Sequence, residues 1–202
     1  VSISGMRGFE RTHWLLLSVL VVIGALAVGV VVGLPRWQDH GAPIAGERLD
    51  RFPDTDAGAL EPQRDRIIAV TRAEFSNPGA GPKYAQGADE AWCADFVSWV
   101  YREAGRPLSN PNSGSWRIPG VSTLQEYFEA NGRFAAADSG YRPRPGDVVI
   151  YAAASPFGQH TNIVLAADPE TLTTIGGNER DAVRIHRYDP SQVRGIVGFG
   201  HM

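Results

Sequence analysis

Five short runs rich in β-branched residues crowd the last third of the chain: Val148-Val149-Ile150-Tyr151, Asn162–Ala166, Leu172–Ile175, Val183–His186 and Gly195–Phe199. Pro, Asp, Asn and Gly separate them, and runs of this length with such breaks predict an antiparallel sheet. Upstream the apolar period is helical. Pro62 can occupy the first turn of a helix running to about Phe75, with Ile67, Ile68, Thr71 and Phe75 as its inner stripe and Asn77-Pro78-Gly79 as its stop. Asp89 is placed to cap a second helix over about 90–104, with Phe96, Val97, Val100, Tyr101 and Ala104 inward and Gly105 and Pro107 ending it. Ser122 can cap a third, through Asn131, with Leu124, Tyr127 and Phe128 inside. Helices first and strands second predict an α+β domain with helices packed on one sheet.

Residues 14–34 form an uncharged apolar run, long enough to cross a bilayer core as a helix. Arg7 and Arg11 precede it, Arg36 follows, and Trp14 and Trp37 stand at its two ends. The reading is a cytoplasmic stretch at 1–13, a signal-anchor transmembrane helix at 14–34, a flexible linker at 35–61 and an exported domain at 62–202. The domain then stands outside a cell membrane that the chain crosses once. The alternative is a cleaved signal peptide and a secreted domain, since Ala25-Leu26-Ala27 resembles a cleavage site; a signal-peptide core is, however, shorter than this run. A net charge of −3 argues against nucleic acid as a partner.

Cys93 is the sole cysteine among 202 residues, so no disulfide forms within the chain. Counted from Asp89 it is the fourth helical residue, and a helix N-terminus favours thiolate over thiol. A lone cysteine is more often a small buried hydrophobe, so its claim to chemistry depends on partners. A nucleophilic cysteine needs a base, and the base needs a group to orient it. His160, at the turn into the second strand run, is the candidate base; the plain alternative is a loop histidine on the surface. Asn178 after Ile175-Gly176-Gly177 and Asn162 on the strand of His160 are the two candidates for the orienting group. His186, between Arg184 and Arg187, reads as solvent-facing. No histidine pair has metal-ligand spacing and no phosphate-binding glycine loop is present, so neither metal nor cofactor is expected.

Trp92-Cys93-Ala94-Asp95-Phe96-Val97, Pro143-Arg144-Pro145-Gly146-Asp147-Val148-Val149, His160 and Ile175-Gly176-Gly177-Asn178 occur in that order. In this the sequence resembles the CHAP family, cysteine- and histidine-dependent amidohydrolases and peptidases with a papain-like core. The resemblance spans about residues 62–202. It implies Cys93 as nucleophile, His160 as general base and Asn178 as orienting residue. It also implies peptidoglycan as substrate, cut at the amide between muramic acid and the stem peptide or within the peptides. The sequence departs from the family in two places: Gln159 precedes the histidine where Gly is frequent, and Gly176 stands where many members carry Glu. Thioester chemistry of this kind needs an oxyanion site. The Cys93 backbone N–H is one expected donor, Tyr84 or Gln86 a second, and Trp92 and Trp116 are expected to line the substrate groove. The competing classes are a non-catalytic surface domain that binds peptidoglycan or a protein partner, and a thiol enzyme of transamidation.

Overall fold

The computed structural model describes residues 42–55 and 60–202. Pro43–Met202 is one compact unit. Its first helix, α1 (Pro62–Ser76), starts at proline as expected and buries Ile67, Ile68 and Thr71, together with two charged residues, Arg64 and Glu74. A single turn follows, α2 (Gly81–Tyr84). The central helix α3 (Cys93–Glu103) buries Cys93 through Ser98, then Val100 and Tyr101. It begins later than Asp89 would set it. Trp92 holds the cap position without a side-chain cap, and its indole stacks on Tyr84 with ring centres 5.1 Å apart. Burial of this aromatic pair, rather than a carboxylate cap, fixes where the helix starts. The last helix, α4 (Val121–Ala130), follows Gly120 rather than Ser122. The Ser122 hydroxyl instead accepts a hydrogen bond from Gln159 Nε2 at 3.1 Å.

Among the described residues one antiparallel sheet holds seven strands: β1 (Glu47–Leu49), β2 (Phe134–Ala136), β3 (Val148–Tyr151), β4 (His160–Ala167), β5 (Leu172–Gly176), β6 (Arg184–Tyr188) and β7 (Ile196–Gly200), in the order β1-β6-β5-β4-β3-β7-β2. The α+β class therefore holds. Each expected run is a strand within two residues of its expected bounds. The two added strands are three-residue edges, too short for an alternating pattern to emerge from sequence.

Alternation divides the sheet. Val148, Ile150, Ile163, Leu165, Ile175 and Ile185 join the core made with the helices. Val149, Tyr151, Val164, Leu172, Tyr188 and Phe199 build a second, smaller cluster on the other face.

The segment expected as a free linker, 35–61, is bound to the domain wherever it is described. Glu47, Arg48 and Leu49 pair with Arg187, His186 and Ile185 of β6. Ala45 is buried, and Phe52 packs edge-on against Phe75 with the Arg72 guanidinium 4.3 Å above its ring. Backbone hydrogen bonds and two apolar contacts outweigh the composition that suggested a coil. The expected membrane span at 14–34 lies outside the described residues. Among those residues no helix is long and apolar enough to cross a membrane.

The Pro143–Asp147 turn is structural. Arg64 donates from Nη1 to Asp147 Oδ1 at 2.8 Å and to the Pro145 carbonyl at 2.7 Å. The other Asp147 oxygen accepts from Tyr141 and from the Arg144 N–H. Gly146 turns at φ +89°, and its carbonyl accepts from the buried Tyr101 hydroxyl. This network ties α1 and α3 to the start of β3.

Candidate active site

Cys93 is the first residue of α3, and the first hydrogen bond of the helix runs from the Phe96 N–H to the Trp92 carbonyl. The N–H groups of Cys93, Ala94 and Asp95 therefore have no partner within the helix, and they carry the positive end of its dipole. The thiol is free and almost wholly buried. Across from it stands His160, the first residue of β4, held in register opposite Tyr151. The Phe157 ring stacks on its imidazole at 5.8 Å and 11°.

Cys93 and Glu179 are the two polar neighbours that act on the imidazole. His160 Nε2 lies 3.7 Å from Glu179 Oε1. That is longer than a hydrogen bond, as contacts in substrate-free active sites often are. Burial pushes the imidazolium toward losing its proton. The neighbouring Cys93 and Glu179 outweigh burial and raise the His160 pKa to about 9. Burial likewise opposes charge on Glu179, yet the two imidazoles beside it, His160 and His186, hold the carboxyl below the usual glutamate range.

Glu179 is the residue that sequence reading missed. Asn178 occupies a turn at φ +60° and is half-buried, and no hydrogen bond joins its side chain to His160. Asn162, the other candidate, touches the acid rather than the histidine: its Nδ2 donates to Glu179 Oε1 at 2.9 Å and to Thr174 Oγ1 at 3.1 Å. The absent family-type acid at Gly176 has a spatial explanation. A Cβ at 176 would stand 1.9 Å from Asn162 Oδ1 and 2.6 Å from Glu179 Oε1. The Glu179 carboxylate thus fills the space a side chain at 176 would enter.

The other expected residues fall into new places. Tyr84 is fully buried; its hydroxyl donates to Glu74 Oε2 at 2.7 Å and accepts from the Gly79 N–H at 3.0 Å, so it has no proton to offer an oxyanion. Gln86 is exposed in the turn after α2, at φ +55°. Trp92 does not line an open groove. Its buried ring packs where a Cβ on Gly177 would lie, and Nε1 donates to Asp181 Oδ1 at 3.2 Å. It clamps the turn that carries Glu179. Trp116 lies beneath the Arg102 guanidinium at 4.6 Å, and Arg102 belongs to the last turn of α3. Arg117 in the same loop pairs with Glu90 and donates from Nε to buried Asp95 at 2.7 Å, pinning the loop along α3. His186, expected in solvent, is fully buried behind Glu179. Among the described residues no group of three or more His, Cys, Asp or Glu side chains could hold a metal ion.

A buried thiol, an imidazole raised in basicity and a buried carboxylate are the parts of nucleophilic acyl transfer. Residues 84–178 match the family model of the CHAP domain, the family the sequence resembles. No curated protein and no solved structure matches the chain. Glu179 lies one residue beyond the matched segment.

Proposed function

We propose that this chain, carrying a CHAP domain with a papain-like core, hydrolyses amide bonds of peptidoglycan through a Cys93 thioester. The bond is the one joining muramic acid to the stem peptide or one within the peptides. The observation that carries the reading is that Cys93, the first residue of a helix, His160 and Glu179 are all buried and that His160 Nε2 faces the Glu179 carboxylate.

In this mechanism the Cys93 thiolate attacks the amide carbonyl carbon. Oxygen takes up the displaced electron pair and is met by the Cys93 N–H, which has no helical partner. Gln86, exposed in the turn before α3, is the candidate second donor. The tetrahedral adduct collapses, the C–N bond breaks, and His160 hands its proton to the departing amine. Neutral His160 then takes a proton from water, hydroxide attacks the thioester, and the acid leaves as the thiolate and imidazolium re-form. Glu179 holds the ring and balances its charge whenever His160 is protonated, the role of the acid in a Ser-His-Asp triad. The apolar run at 14–34 anchors the domain at the outer side of the membrane, within reach of the wall; recovery of the full chain from carbonate-washed membranes checks that placement.

The full chain in detergent, incubated with purified peptidoglycan, is expected to release fragments that mass spectrometry assigns to amide cleavage. Cys93→Ser should lower the rate at least about 10³-fold, and His160→Ala about as much, because members of one catalytic unit fail together. Fragment release at the wild-type rate by Cys93→Ser would falsify the reading.

A further inference from the structure

Resting on the assignment of Cys93, His160 and Glu179 above, we infer that His186 is a positioning residue of the same site. It holds one oxygen of Glu179 so that the other faces His160, and the backbone N–H of Ile44, just ahead of strand β1, keeps it in the form that can do so.

The two carboxylate oxygens are divided between different neighbours. Oε1 faces His160 Nε2 at 3.7 Å and accepts from Asn162 Nδ2 at 2.9 Å. Oε2 lies 2.8 Å from His186 Nδ1. The far nitrogen of His186, Nε2, accepts the backbone N–H of Ile44 at 3.3 Å. An imidazole nitrogen that accepts carries no proton, so the ring proton sits on Nδ1, toward the acid. The consequence is electrostatic. A cationic His186 would neutralise Glu179 and leave little charge for the imidazolium of His160. A neutral His186 orients the carboxylate and leaves its charge for His160 alone.

The surroundings are fitted to this arrangement. His186 is 0% exposed, between Thr174 of β5 and Arg48 of β1 in the strand register. Phe157 stacks on His160 and meets His186 edge-on at 5.5 Å, so one ring packs against both imidazoles. The titratable groups near His160 are Cys93 of α3, Tyr151 of β3 and Glu179.

The test uses the full chain with two polar substitutions. In His186→Asn the amide nitrogen stands where Nδ1 stood and still faces Glu179. In His186→Gln the longer arm carries the amide toward Ile44 and leaves Oε2 bare. NMR titration of labelled His160 reads the site without turnover, and fragment release gives kcat and KM. His186→Gln is expected to lower the His160 midpoint by about one pH unit. It should also cut kcat about 10-fold or more, the size of effect that loss of an outer partner has at metal-ligating histidines, with KM within about twofold. His186→Asn should keep the wild-type midpoint and most of kcat. A wild-type midpoint in His186→Gln, or equal damage in both variants, overturns the inference. If His186→Gln does not fold, His186→Asn decides by whether it keeps the midpoint. Midpoints that behave as expected while no variant, nor the wild type, releases fragments leave the positioning role standing and sink the hydrolase reading.

Discussion

Glu179 keeps its charge at 1% exposure because its neighbours supply what water cannot. Asn162 donates to it, His186 lies against its second oxygen, and His160 meets its first. Cys93 and that charge together hold a proton on His160, whose pKa of about 9 stands well above the ordinary 6.5. The sign follows for activity. In the proposed reaction the imidazolium is the acid that releases the amine; it is present below its pKa and lost as pH rises through it. The alkaline limb of kcat/KM is therefore expected near pH 9 in the wild type. Glu179→Gln preserves the shape of the side chain and removes the charge. It should carry that limb down toward the ordinary histidine value and lower kcat about 10²- to 10⁴-fold, as a triad acid-to-amide change does. A pH–rate profile that keeps its alkaline limb in Glu179→Gln would show that the charge does not act on His160.

Between β5 and β6 the chain must turn a carboxylate inward, and it does so with backbone strain. Asn178, Arg180 and Asp181 all have φ between +52° and +60°, a region that L-residues other than Asn and Asp seldom enter. The turn is held by the Glu179 N–H on the Ala182 carbonyl, by Arg184 Nε on the Glu179 carbonyl at 2.8 Å, and by the Trp92 indole on Asp181. At its entrance Gly176 is required for space alone. Gly176→Ala is expected to cost about 1–3 kcal/mol in urea unfolding, the range for an added carbon in a filled interior, and to lower kcat by displacing Asn162 and Glu179 together. An unchanged unfolding midpoint would mean that this space is not filled as described. The same turn marks where sequence reading stops. Phe96, Val100, Ile163 and Ile175 announce helix or strand by period, and Cys93 and His160 stand at the ends of elements that the period locates. Asn178-Glu179-Arg180-Asp181 reads as a solvated turn in every letter; only the positive φ angles and the Trp92 clamp fold its second residue inward. His186 is hidden for a related reason: the arginines at 184 and 187 give its strand a polar look, whereas β1 covers it. The places of Cys93 and His160 are thus legible, and that of Glu179 is not, because it is set by contacts between segments far apart in the chain.

At the scale of the whole domain, the boundary lies earlier than composition suggests, and this is testable. Of the residues before α1, Ala45 is buried, Gly46 passes so close to β6 that a Cβ there would stand 2.2 Å from the Arg187 carbonyl oxygen, and Leu49 and Phe52 pack on the main core. The Ile44 N–H reaches His186 directly. Cutting at 62 removes all of these, along with the ladder from Glu47 to Leu49 that covers the edge of β6. Half-burying two large apolar side chains contributes roughly 2–3 kcal/mol, and an uncovered strand edge invites pairing with another chain. A chain beginning at 43 should therefore melt cooperatively and stay monomeric. One beginning at 62 should lose roughly that stability in urea unfolding, show association on size exclusion, and bring its activity limb below that of the longer chain. Equal stability and equal pH profiles in the two truncations would place β1 outside the working domain. They would also show that His186 keeps its tautomer without Ile44.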